Sequence, residues 1–165
     1  MTNKLYYSFD DLEKDLLVIS SKINSSNFHI DVIIGPCRGA YIPGVMLSHL
    51  YNKPFEGFIW QTRDGDEKDV NGLKNILNKY LNKNILIIDD INDSGKTFNG
   101  IKKEIDKTIS ELNISQDKIK YCTLFNKTQS EFKCVNYYAN ELTPENNPWI
   151  VFPYEEWFNK KKIKI

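Results

Sequence analysis

Ile85-Leu86-Ile87-Ile88-Asp89-Asp90-Ile91-Asn92-Asp93-Ser94-Gly95-Lys96-Thr97 decides how the rest of the chain is read. Four consecutive apolar residues suit a strand buried on both faces, the pattern of a parallel sheet. The run ends at two acids, and Asp93 to Thr97 then provides the small, hydroxyl and glycine residues of a turn that opens a helix. In open α/β sheets ligands bind beyond the carboxyl ends of the strands, so this stretch reads as the active site.

Outward from this centre, strand and helix patterns alternate. Downstream, Phe98, Ile101, Ile105, Ile109 and Leu112 mark a helical stripe, and Ile119 to Phe125 is a predicted strand with residues 126–130 as its exit loop. Upstream, Leu73, Ile76, Leu77, Tyr80 and Leu81 recur at helical spacing. Before them, Phe55 to Trp60 reads as a strand and Gln61 to Asp69 as a polar loop. Val32-Ile33-Ile34 forms a short buried strand that ends at Gly35-Pro36-Cys37-Arg38-Gly39-Ala40, with a helix starting near Pro43. Ser8-Phe9-Asp10-Asp11 has capping-box form, and Leu12, Leu16, Ile19 and Ile23 give a first amphipathic helix. At the other end, Val135 to Tyr138 is read as one more strand, the region 140–153 with its run Trp149-Ile150-Val151-Phe152 as a flap or cap, and the tail from Lys160 as solvated. The expected fold is α/β: a mostly parallel twisted sheet flanked by helices, in a single domain with a core over about 1–134 and a small hood over about 135–165.

Composition excludes several classes. The chain has 165 residues, with Lys plus Arg and Asp plus Glu both totalling 22, so no bulk charge draws it to nucleic acid or an anionic membrane. Its apolar runs fall short of the ~18 residues that a membrane span needs, and no signal peptide is visible. Three cysteines without metal-ligand spacing, Cys37, Cys122 and Cys134, fit reduced thiols in a cytoplasmic setting. Arg38 and Arg63 are the only arginines in a lysine-rich chain, which makes both candidates for bidentate anion contacts.

The turn from Asp93 to Thr97 can wrap a phosphate with backbone amides and hydroxyls at a helix N-terminus. Gly95-Lys96-Thr97 matches the end of a nucleotide-triphosphatase Walker loop, but the glycine required five positions earlier is Asp90. An acid there repels a polyphosphate. Two carboxylates beside a phosphate site call for a cation or sugar hydroxyls between them, which suits Mg²⁺ or a ribose diol.

These residues together resemble the phosphoribosyl-pyrophosphate (PRPP) signature of the type I phosphoribosyltransferases, which Ile85 to Thr97 fits throughout. The chain is most similar to the bacterial xanthine-guanine and hypoxanthine enzymes. Gly35 to Ala40 is similar to their pyrophosphate loop, placing Cys37, Arg38 and Gly39 at it, with Ala40 in place of a second glycine. Lys127 stands where they carry the lysine that contacts a purine 6-oxo group, and Trp149 and Ile150 stand at their base-stacking position. One departure is Thr62-Arg63, near the place of a family Ser-Tyr pair.

The resemblance implies purine salvage: transfer of the 5-phosphoribosyl group of PRPP to guanine, xanthine or hypoxanthine, with Mg²⁺ as cofactor, in a homodimer or homotetramer. It implies Asp93 as general base, and Arg38 and Arg63 as groups that stabilise the leaving pyrophosphate. Ser94, Gly95, Lys96 and Thr97 would bind the 5-phosphate. Asp89 and Asp90 would engage the ribose hydroxyls and, together with Glu155, the metal; Glu155 also falls near a family acid that borders the 2-position of the base. Lys127, Trp149 and Ile150 would hold the base. The alternatives are a non-catalytic PRPP-binding regulator and a transferase for another base.

Overall fold

The computed structural model describes residues 3–62, 67–112, 115–155 and 157. Its main sheet holds β2 (Val32–Cys37), β3 (Phe55–Ile59), β4 (Ile85–Asn92), β5 (Ile119–Lys127) and β6 (Tyr137–Leu142) in the order β3-β2-β4-β5-β6. Every pairing is parallel, so the carboxyl ends share one edge. The apolar runs of β2, β4 and β5 alternate between two cores. Ile33, Leu86, Ile88, Cys122 and Leu124 face one core, while Val32, Ile34, Ile85, Ile87 and Tyr121 face the other. Full burial of an aliphatic side chain contributes about 1.5–3 kcal/mol, so a strand with apolar residues on both faces is fixed at the centre of the sheet.

Helices α1 (Phe9–Ser25) and α2 (Tyr41–Tyr51) cover the first face; α3 (Val70–Lys79) and α4 (Lys96–Leu112) cover the second. The capping box at α1 is formed: the Asp11 amide donates to Ser8 Oγ at 3.1 Å, and the Ser8 amide donates to an Asp11 carboxylate oxygen at 3.0 Å. Pro43 lies buried in the first turn of α2.

Several boundaries differ from those read in the sequence. Strand β4 does not stop before the acids but runs through Asp89 and Asp90 to Asn92, because β5 offers partners as far as Asn126. Helix α3 ends at Lys79, leaving Leu81 outside it and 38% exposed, and the chain turns away through Asn82 in a left-handed conformation. Strand β6 starts at Tyr137, not Val135, because Asn136 closes the ladder: its Oδ1 accepts from the Tyr121 amide at 2.8 Å and its amide donates to the Tyr121 carbonyl at 2.9 Å. The residues placed in the hood thus begin with a strand of the main sheet. A second, two-stranded sheet pairs β1 (Lys4–Tyr6) with β7 (Trp149–Val151), also in parallel. Here Leu5 stands opposite Ile150, so the run read as a cap is tied to the start of the chain.

The three thiols occupy different settings: Cys134 is exposed, Cys37 is partly covered and Cys122 is buried. Burial pushes the Cys122 thiol well above its usual range. A thiol reagent at neutral pH is expected to label Cys134 first and to reach Cys122 only on unfolding, as mass spectrometry of partly labelled protein can read.

Candidate active site

The carboxyl edge of the main sheet and the hood enclose a cleft of about 480 Å³. Its walls include Arg38, Asp89, Asp93, Lys96, Lys127 and Trp149, which come from four separate stretches of sequence.

The phosphate turn is built on Gly95, which has φ +88° and needs the freedom of glycine. A Cβ there would press on the Phe132 amide and lie 2.7 Å from Ser130 Oγ. From this turn α4 begins: Asn99 donates to the Gly95 carbonyl at 2.9 Å, and the Lys96 amide donates to Ser94 Oγ at 3.4 Å. Backbone amides at a helix N-terminus with hydroxyls beside them are the groups that suit a phosphate. Thr62, at the end of the segment after β3, reaches the same place, with its hydroxyl 3.2 Å from that of Thr97.

Support comes from beneath. The Asn92 amide nitrogen donates to Asn126 Oδ1 at 2.8 Å and to the Phe132 carbonyl at 3.0 Å, while Ser130 Oγ donates to Asn92 Oδ1 at 2.8 Å. Asn92 and Ser130 are almost fully buried, and the Glu131 amide donates to the Ser94 carbonyl at 3.1 Å. Buried polar groups require such pairing, so the loop after β5 fixes the turn after β4. Sequence reading missed Asn92, Ser130 and Phe132; the one available signal was an asparagine among the acids of the central stretch.

Asp89 and Asp90 fall on opposite sides of β4, as extended chain requires. Asp89 is buried, and its Oδ1 accepts from the Asp90 amide at 3.0 Å. The Asp90 carboxylate rests on the bare Cα of Gly39, where a Cβ would collide with it. Gly35 approaches β4 equally closely: a Cβ on it would lie 2.7 Å from the Ile88 carbonyl and against the methyl of Ala40. Gly35 therefore makes the room that lets Ala40 stand, fully buried, where the resemblance expected glycine. The Cys37–Arg38 peptide between them is cis. Cys37 Sγ and the Tyr41 hydroxyl are hydrogen-bonded at 2.8 Å, and that bond, followed by burial, pushes the phenol up to about 12.

Lys127 ends β5 and forms an ion pair with Asp93, Nζ to Oδ1 2.7 Å, with the two side chains 15% and 31% exposed. A cation and a carboxylate are thereby held side by side between the phosphate turn and the hood. Trp149 is half exposed at the mouth, while Ile150 is buried beneath it. Glu155 also lines the cleft, but one carboxylate oxygen already accepts from the Phe152 amide at 3.1 Å. Among the described residues no group of three or more acids, histidines or cysteines forms a metal cluster, so Asp89, Asp90 and Glu155 do not make a preformed cage. Arg63 lies outside the described residues. Tyr154, which sequence reading did not single out, reaches from the hood to Asp90, 3.3 Å from Oδ2.

A parallel sheet with a glycine-containing turn after its central strand, an acid pair before that turn and a hood above it is the architecture of the type I phosphoribosyltransferases. Residues 7–157 match the family model for the phosphoribosyl transferase domain, and the chain belongs to that family. A solved structure described as a purine phosphoribosyltransferase from Pyrococcus horikoshii is 26% identical, with a TM-score of 0.69 and coverage of 93% of this chain and 95% of that one. The xanthine-guanine-hypoxanthine phosphoribosyltransferase of Helicobacter pylori shares the fold at 18% identity, TM-score 0.66, covering 98% and 99%. So does the orotate phosphoribosyltransferase of Aeropyrum pernix, at 14% identity, TM-score 0.52, covering 82% and 73%. Comparison with curated proteins gave no match. Among the described residues no helix is long and apolar enough to cross a membrane.

Proposed function

We propose that the protein is a cytoplasmic purine-salvage enzyme that transfers the 5-phosphoribosyl group of PRPP to a 6-oxopurine, releasing pyrophosphate and forming a nucleoside monophosphate. The observation that carries this reading is the Lys127–Asp93 pair, a fixed donor beside a fixed acceptor. A 6-oxopurine presents an oxygen next to a ring N–H, which is the complementary pattern. Lys127 donates to the oxo group, Asp93 accepts the ring proton, and Trp149 stacks on the base.

In the reaction the ring nitrogen forms a bond to C1 of the ribose, and the C1–O bond breaks with its electron pair going to pyrophosphate. The turn from Ser94 to Thr97 holds the 5-phosphate and so fixes the position of C1. Arg38 and Arg63 stabilise charge that grows on the leaving group, an interaction stronger in the transition state than in the ground state. The hard carboxylate oxygens of Asp89 and Asp90 fit a ribose diol and Mg²⁺, with Glu155 as a further acid at the same mouth. When bound, Mg²⁺ neutralises pyrophosphate charge. An assembly of two or four copies fits the outer face of α2, where Tyr41, Ile42 and Val45 are exposed on a helix without Asp, Glu, Lys or Arg.

The test is incubation with PRPP, Mg²⁺ and each free base, followed by detection of nucleotide. Nucleotide from a 6-oxopurine is expected; no product with any base would favour the PRPP-binding regulator instead. Lys127→Ala is expected to raise KM for the base by about tenfold or more, the loss of a charged hydrogen bond. Its KM for PRPP should stay close to that of the wild type.

A further inference from the structure

Tyr154 joins three parts of the site that the chain keeps far apart. Its ring stacks on Phe152, with centroids 5.4 Å apart and planes 9° from parallel. Its hydroxyl stands 3.3 Å from Asp90 Oδ2 and 3.5 Å from the Gly39 carbonyl oxygen. A phenol hydroxyl is a hydrogen-bond donor at neutral pH. One proton faces two acceptors. The carboxylate is the stronger acceptor, because a hydrogen bond to a charged group is roughly twice as strong as a neutral one. The same carboxylate rests on Gly39, where no side chain would fit, so it is confined on one side by the pyrophosphate-loop backbone and on the other by the phenol.

We propose that Tyr154 is a positioning residue whose hydroxyl sets the orientation of Asp90 and links the hood to the pyrophosphate loop at Gly39. When a ligand engages the Asp90 oxygen, the phenol can turn its proton to the Gly39 carbonyl, so no buried donor is stranded. The carboxylate is thus oriented before the ligand arrives and can change partners at low cost. The inference rests on the reading of Asp90 as a sugar- and metal-handling group.

The experiment has a ligand-free arm and a binding arm. With ¹³Cζ-labelled tyrosine, the Tyr154 resonance of the protein alone is expected to move in Asp90→Ala; an unmoved resonance would refute the contact. In calorimetry with PRPP, Tyr154→Phe keeps the stacked ring and loses only the hydroxyl. It is expected to bind PRPP about tenfold more weakly, while the KM for the base is unchanged. The double variant should bind no more weakly than Asp90→Ala alone, because the hydroxyl acts through that carboxylate. Wild-type affinity in Tyr154→Phe, or additive losses in the double variant, would overturn the proposal. If the wild type itself binds no PRPP, the ligand reading fails, and the resonance of Tyr154 alone decides whether it positions Asp90.

Discussion

Asp93→Asn is expected to keep its affinity for PRPP and to lose turnover by about 10²- to 10⁴-fold, the usual contribution of a positioned general base. The conformation of the phosphate turn is held by Gly95 and by the loop that buttresses it from residues 130–132. An asparagine oxygen can still accept from Lys127, now 2.7 Å from Asp93 Oδ1, so the local geometry survives. What disappears is the capacity to take a proton from the purine. Calorimetry with PRPP alongside steady-state kinetics at saturating PRPP separates the two quantities. Wild-type turnover would remove Asp93 from the mechanism, and joint loss of binding and turnover would make it a structural member of the cradle.

The second large effect is expected at Gly95. In Gly95→Ala, a Cβ enters a left-handed backbone position and meets the Phe132 amide and Ser130 Oγ, the latter at 2.7 Å. The backbone strain costs of order 1–3 kcal/mol. Displacing Ser130 also breaks its buried bond to Asn92, worth about 1–3 kcal/mol when a partner is left unsatisfied. Destabilisation of about 2–6 kcal/mol by urea denaturation is expected, together with strongly weakened PRPP binding. Wild-type stability would mean that the loop from Ser130 to Phe132 yields easily and does not brace the turn.

The alternation of strand and helix was legible because each element carries its own period. The unbroken runs of β2 and β4 suit a sheet covered on both faces, and the stripe from Phe98 through Ile109 lies buried against that sheet. The phosphate turn was legible too, since its residue types are dictated by backbone geometry within a few positions. Contacts between distant segments were not. Strand β1 is three residues long and exposed at each, so no hydrophobic pattern announces it; only pairing with β7 makes it a strand. The chain end that carries Tyr154 reaches back to Gly39 and Asp90, across sequence separations of 115 and 64 residues. Nothing in local composition marks that tyrosine. Asn92 was hidden for a related reason, because its partners Asn126, Ser130 and Phe132 belong to the exit from another strand. The pairing of Lys127 with Asp93 is a property of neighbouring parallel strands ending at the same level, which neither stretch reveals alone.

The proposed function requires that pair to read a 6-oxopurine beside a bound PRPP. The most direct test measures pyrophosphate release from PRPP and Mg²⁺ with hypoxanthine, guanine, xanthine, adenine or orotate as the acceptor, in the wild type and in Lys127→Ala. Release with at least one 6-oxopurine, little with adenine or orotate, and loss of that preference in Lys127→Ala is the predicted result. Release with orotate or adenine in preference to every 6-oxopurine, or with no base at all, would contradict it.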